Sequence, residues 1–188
     1  MHANHHLVIA GSTRATRRSP VIAAWVGALG KALGGDFEEV DLRALALGLD
    51  DEPGIPARGE PYASPATRHW SEKVAAARGV VFVTPQYNWG YPAPLKNAID
   101  HLYLEWKGKP ALIVSYGGHG GGKAAAQLRD VLTGIGLNLT TAMPALKLTR
   151  ERIEANDGLV EPDTDFAAQR HEVIAALREF LALPGQGA

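Results

Sequence analysis

The chain has 188 residues, 46% of them hydrophobic, which is enough for one sizeable core and cramped for two, so one domain is expected over 1–188. Nineteen basic residues against twenty acidic ones leave a formal net charge of -1, so no global field draws the chain onto nucleic acid or anionic lipid. With no cysteine, disulfides, thiolate metal ligands, iron–sulfur clusters and a catalytic thiol are excluded, and redox chemistry falls to a bound cofactor.

The first predicted strand is 7–10 ("LVIA"), nearly all apolar as a strand covered on both faces should be. Behind it, "GSTRATRRSP" (11–20) gathers the hydroxyls of Ser12, Thr13, Thr16 and Ser19 with Arg14 and either Arg17 or Arg18. A helix follows, with Ser19 as expected N-cap, Pro20 in the first turn, Ile22, Trp25, Val26, Leu29 and Leu33 on one face, and Gly34-Gly35 as a stop. Hydroxyls, guanidinium forks and a helix N-terminus make a phosphate site; the competing reading is a solvated arginine-rich loop with an ordinary Ser-Pro cap. The stretch is neither GxxxxGK[ST] nor GxGxxG, so a phosphate monoester suits it better than a buried diphosphate.

The second strand is expected at 37–42 ("FEEVDL"), where Asp41 reads as a cap or surface charge more readily than as a ribose ligand. The polar loop "GLDDEPGIPARGEPY" reads as a surface excursion, with a lid as the alternative. A helix opens at "SPATRHW" with Ser64 as cap, and the third strand is 80–84 ("VVFVT"). After it, "TPQYNWGYPAPLKNAID" is stiffened by Pro85, Pro92 and Pro94 and crowded with Tyr87, Trp89 and Tyr91. Such a loop can wall a flat ligand, with the backbone of 86–89 reading a heterocycle edge and Asn88 holding the turn; a hydrophobic plug or a dimer contact is the bland alternative. A helix is expected over 94–104, with Lys96 and Asp100 as an i,i+4 ion pair.

The fourth strand, 111–115 ("ALIVS"), leads into "SYGGHGGGKAAAQLR", whose five glycines let backbone donors approach a planar ligand or an anion. Ser115 lacks the GxSxG setting of a nucleophile, and His119 is open between ligand contact and solvation. A helix over 123–135, a weak strand at 137–141 ("LNLTT") and a last helix over 163–183, with Phe166, Val173, Ile174, Leu177 and Leu181 inward, complete the chain. His2, His5 and His6 read as a frayed terminus, and no histidine spacing suggests a metal site. No run is long and apolar enough for a membrane helix, and "MHANHHLVIAGS" does not read as a signal peptide, so a cytoplasmic location without a membrane partner is expected.

Strand–helix alternation means an α/β three-layer sandwich: a five-stranded parallel sheet with helices on both faces. In the order 2-1-3-4-5 the loops after strands one, three and four meet at the switch point, where the flavodoxin-like arrangement holds FMN, a ligand with one monophosphate end and one flat end.

The three segments "GSTRATRRSP", "PQYNWGYPAPLKNAID" and "SYGGHGGGKAAAQLR" together resemble the NADPH-dependent FMN reductase family, which includes quinone, chromate and azo-compound reductases. The resemblance runs from about residue 7 to about residue 139. It implies a flavodoxin-like fold, non-covalent FMN, and a homodimer or homotetramer. Ser12, Arg14, Arg17 and Ser19 fall on phosphate-binding positions. Pro85, Gln86, Tyr87, Asn88 and Trp89 fall on the loop lining the flavin ring, and Ser115, Tyr116, Gly117 and Gly118 on the loop near its pyrimidine edge. Many members have Glu where this chain has Gln86. The implied reaction is hydride transfer from NADPH or NADH through FMN to a small-molecule acceptor such as a quinone, free flavin, azo compound or chromate, with no side-chain acid or base required. The alternatives are a flavodoxin-type electron carrier that does not oxidise nicotinamide, and a flavin-free Rossmann dehydrogenase.

Overall fold

The computed structural model describes residues 5–50 and 52–185. Six parallel strands form one sheet: β1 (His6–Ala10), β2 (Phe37–Asp41), β3 (Val80–Pro85), β4 (Pro110–Gly117), β5 (Asn138–Leu139) and β6 (Ala145–Lys147). The order is β2-β1-β3-β4-β5, as expected, with one addition. β5 pairs only with Pro110 and Ala111 at the start of β4, and β6 pairs with Ser115 to Gly117 at its end. The fifth strand expected at 137–141 is thus shortened to Asn138–Leu139, and Pro144, which has no amide proton to offer a ladder, lies between it and the unexpected β6.

The strands alternate their side chains between two cores. Val8, Val81, Val83, Leu112 and Val114 pack under α1 (Ser19–Ala32) and α8 (Arg170–Ala182). Leu7, Ile9, Val80, Phe82, Ala111 and Ile113 pack under α3 (Pro65–Ala76), α4 (Ala93–Asp100) and α5 (Gly122–Gly134). Trp70 and Trp106 lie fully buried in the second core, ring centroids 6.1 Å apart. Each indole N–H donates to a helix carbonyl, Ala98 at 2.8 Å and Ile99 at 3.0 Å, so neither leaves a polar atom stranded.

Three local expectations are corrected. Ser19 is the first residue of α1 rather than its N-cap, a position taken by Arg18 with no side-chain cap. The last helix is broken into α7 (Pro162–Asp165) and α8, with Phe166, fully buried, at the break. His6 is no frayed end: it lies in β1 with its ring between Phe37 and Phe180, centroids 5.2 and 4.8 Å away. Its burial lowers its pKa to about 4, aided by the charge of Arg78. His5 Nε2 lies 3.2 Å from the Glu38 carboxylate, and His2 lies outside the described residues.

The long polar loop is tied to the body. His101 Nε2 and Asn97 Nδ2 both meet the Gly48 carbonyl, and Glu52 accepts from the amides of Ala63 and Ser64 at 2.7 and 2.9 Å. Ser64 itself makes no capping bond to α3. Asp41 caps the short α2 (Leu42–Leu45), and Lys96 pairs with Asp100, both as read from the sequence. Among the described residues no helix is long and apolar enough to cross a membrane, and no cluster of metal-ligating side chains occurs.

Candidate functional site

A cleft of about 230 Å³ opens beyond the carboxyl ends of β1, β3 and β4, where the three loops singled out in the sequence converge. Arg14 and Arg18 enter from the first loop, Pro85, Gln86 and Tyr87 from the second, and Tyr116, Gly117 and Gly118 from the third. A fourth segment closes it: Leu148, Ile153 and Asn156, from the chain leaving β6 and from α6 (Arg150–Ala155) with its C-cap. The sequence reading missed this wall.

The first loop is held close to the sheet. Gly11 donates to the Val83 carbonyl at 2.9 Å, and a Cβ at this position would come within 3.0 Å of that oxygen and 3.2 Å of Leu95 Cδ2, so a side chain here would crowd the neighbouring strand and α4. Ser12 and Ser19 are fully buried and bind each other: the Ser12 amide donates to Ser19 Oγ at 3.2 Å. Ser12 Oγ also meets the Tyr87 hydroxyl at 2.8 Å, fastening the first loop to the second. Both serines hold the loop and neither lines the cleft.

The three arginines have separate partners. Arg14 lies over the Tyr87 ring, 3.5 Å from its centroid, and faces the cleft. Arg17 turns away to an ion pair with Asp41 and does not line the cleft. Arg18, only 8% exposed, lines it. The amides of Thr13, Ala15, Thr16 and Arg18 meet no acceptor among the described residues.

In the second loop, Tyr87 and Gly90 exchange two backbone hydrogen bonds, of 2.8 and 3.0 Å, around Asn88 and Trp89. Both turn residues have positive φ, 48° and 73°, the signature of a type I′ turn. Asn88 suits that conformation; Trp89 is strained by it and stands 65% exposed at the tip, with Lys123 Nζ 5.5 Å from the ring centroid. Gln86 Oε1 accepts from the amides of Lys123 at 3.1 Å and Ala124 at 3.3 Å, capping α5 from another loop.

In the third loop, Ser115 Oγ donates to the Gly120 carbonyl at 2.7 Å and is buried, consistent with a loop-holding residue and not a nucleophile. Gly121, at φ 81° with a would-be Cβ 3.0 Å from both Tyr116 backbone N and O, makes the tight turn into α5. Tyr116 is 4% exposed on the cleft wall; burial, with the Tyr87 hydroxyl beside it, pushes its phenol well above the ordinary range, so it stays neutral.

Of the residues expected at the site, Arg14, Pro85, Gln86, Tyr87, Tyr116, Gly117 and Gly118 therefore meet on one cleft. Ser12, Ser19 and Ser115 support it from inside, Asn88 and Trp89 form the adjacent turn, and Arg17 sits apart. One end of the cleft is cationic, carrying Arg14 and Arg18; the other is aromatic, glycine-lined and apolar. That donor set fits a flavin mononucleotide, charged at one end and flat at the other.

Fold and site together define a flavodoxin-like α/β protein. Residues 5–151 match the profile of the NADPH-dependent FMN reductase family, and the chain belongs to that family. It is 50% identical over 179 residues to an NAD(P)H-dependent FMN reductase of Schizosaccharomyces pombe, covering 94% of this chain and 88% of that one. A Saccharomyces cerevisiae NAD(P)H-dependent FMN reductase is 52% identical over 147 residues, covering 70% and 75%. A 2-hydroxy-1,4-benzoquinone reductase of a Burkholderia species is 33% identical over 125 residues, covering 61% and 68%. Among solved structures, the FerB flavoenzyme of Paracoccus denitrificans, an NAD(P)H:(acceptor) oxidoreductase, superposes with a TM-score of 0.68 at 20% identity, covering 94% of this chain and 98% of that one. This protein is thus an FMN-dependent NAD(P)H oxidoreductase.

Proposed function

We propose that the cleft beyond β1, β3 and β4 is the FMN site and that the enzyme passes electrons from NAD(P)H to a flat acceptor, a quinone or free flavin before an azo compound or chromate. The observation that carries this is the convergence of a cationic loop and two ring-walling loops on one opening at the sheet's switch point. FMN held there by these loops would supply the two-electron redox chemistry between nicotinamide and acceptor.

The chain's own residues bind and orient. Arg14 and Arg18 with the amides of the first loop take the phosphate, replacing Arg17, which Asp41 holds elsewhere. Ser12, Ser19 and Tyr87 fix that loop to the ring-lining segment, so phosphate and ring positions are set together. Pro85 to Tyr87 and Tyr116 to Gly118 face the flat end, and the Gly118 amide, without an acceptor among the described residues, is a donor for negative charge developing on the ring's pyrimidine edge. Leu148 and Ile153 keep the opposite wall apolar and suit a planar, uncharged acceptor better than an oxyanion. Relatives that reduce quinones support the same choice. Exposed Trp89 and Ile153 beside the opening support assembly as a homodimer or homotetramer, which sedimentation velocity tests.

The test is anaerobic mixing of FMN-loaded protein with NADPH and with NADH, followed by a panel of quinones, free flavin, azo dyes and chromate. Bleaching of the flavin by a nicotinamide and fastest reoxidation by a quinone or flavin is the expected result. A flavin that neither nicotinamide reduces would return the protein to the electron-carrier reading.

A further inference from the structure

Arg18 has one edge in the protein and one on the cleft. Its Nε donates to the Leu159 carbonyl at 2.9 Å, and its Nη2 donates to the Arg152 carbonyl and reaches the Asp157 carboxylate at 3.4 Å. All three acceptors belong to the segment 149–160 that carries α6. The same segment rests on the first loop a second time, where Thr16 Oγ1 donates to Asn156 Oδ1 at 3.3 Å. The remaining edge, Nη1, bonds no described group, although Arg18 lines the cleft.

That arrangement leaves charge to be satisfied. The side chain is 9% exposed, two of its partners are neutral carbonyls, and the one carboxylate, at 3.4 Å, is 39% exposed and shares its charge with solvent. A guanidinium so poorly solvated and so partly neutralised is stabilised by an anion on its open edge. The N-terminus of α1 begins at the next residue and favours negative charge in the same place. On the other side of the cleft, α6 presses Ile153 against the third loop: a Cβ on Gly118 would lie 2.9 Å from Ile153 Cδ1.

We infer that Arg18 is a positioning residue that couples the phosphate of the bound ligand to α6. It takes the phosphate on its free edge, holds the backbone of 149–160 with the other, and thereby sets Ile153 against the ring end of the cleft. The inference rests on the FMN reading of the cleft. Its consequence is that a flavin with a phosphate and one without it act differently on a wall that faces the ring.

Hydrogen–deuterium exchange on the full chain, alone and saturated with FMN or riboflavin, reads this directly. FMN is expected to slow exchange over 149–160 by ~10-fold or more and riboflavin by less than ~2-fold. In Arg18→Met, the FMN Kd from fluorescence quenching is expected to rise ~10–100-fold while that of riboflavin changes by less than ~3-fold, and the FMN-dependent protection disappears. Arg18→Lys restores part of the FMN affinity but not the protection, because an ammonium cannot hold two carbonyls and an anion through one planar fork. Equal protection by both flavins, or equal loss of affinity for both in Arg18→Met, would reduce Arg18 to a structural staple and overturn the inference while leaving the FMN site intact. Failure of the wild-type protein to bind FMN would remove both. If Arg18→Met does not fold, the wild-type comparison of the two flavins still decides.

Discussion

The guanidinium of Arg14 lies 3.5 Å from the centroid of the Tyr87 ring, joining the loop after β1 to the loop after β3 at the mouth of the cleft. The stack orients a cation toward the phosphate end while leaving its edge free to donate. Arg14→Ala is expected to weaken FMN binding ~10-fold and to cost only ~0.5–1 kcal/mol of stability, since the stack is partly solvated. Arg14→Lys restores less than half of the lost binding energy, because an ammonium neither stacks nor forks. Fluorescence quenching of FMN together with thermal unfolding of the ligand-free variants checks both halves.

Gln86 caps α5 with its side-chain oxygen, so the relevant chemistry is a hydrogen bond to two helix amides. Gln86→Glu should keep those bonds and stabilise the fold by ~0.3–1 kcal/mol at neutral pH, a carboxylate being favoured at a helix N-terminus. Gln86→Leu should cost ~0.5–2 kcal/mol, the usual loss when a cap is removed. Denaturant unfolding of the two variants should move in opposite directions; a destabilised Gln86→Glu would show that the oxygen's neutral character matters.

Arg17 and Asp41 form a partly buried pair, and the Arg17 Nε is buried with no hydrogen-bond partner among the described residues. Asp41→Asn weakens the pair and the cap of α2 together, for an expected loss of ~1–2 kcal/mol. Its FMN affinity should stay within ~3-fold of wild type, since Arg17 does not face the cleft. A tenfold change in affinity with unchanged stability would return Arg17 to the phosphate.

His6 links stability to acidity. Its pKa falls from 6.5 to about 4 on folding, because burial disfavours the imidazolium. The folded state thus binds fewer protons than the unfolded chain between those values, so the contribution is fully present above pH 6.5 and is lost as the pH falls toward 4. His6→Phe, which keeps a ring between Phe37 and Phe180, should flatten the fall in melting temperature over that window. An unchanged acid slope in the variant would assign the effect to other groups.

How far the sequence reached follows from where the information sits. β1, β3 and β4 are buried on both faces, so their apolar runs were visible without any partner. The Pro and Gly pattern of the loops after them exposed the cleft for the same reason: turn chemistry is local. What depends on distant partners was hidden. Nothing near Arg17 reveals that Asp41 will claim it, or that Arg18 will instead reach the carbonyls of Arg152 and Leu159. β5 and β6 have two and three residues, too few for a period, and α6 is polar apart from Ile153 and its alanine, so the fourth wall left no pattern. His6 reads as polar in a run of histidines, and only the fold supplies the aromatic sandwich that buries it.

The proposed FMN site requires one mononucleotide to span the cleft from the loop after β1 to the loops after β3 and β4. A crystal structure of the protein with FMN bound tests it most directly. Phosphate density is expected within hydrogen-bond distance of Arg14 or Arg18, with the ring against Pro85 to Tyr87 and Tyr116 to Gly118. Density for the flavin on another face, or in this cleft with the phosphate turned toward Ile153, would contradict it.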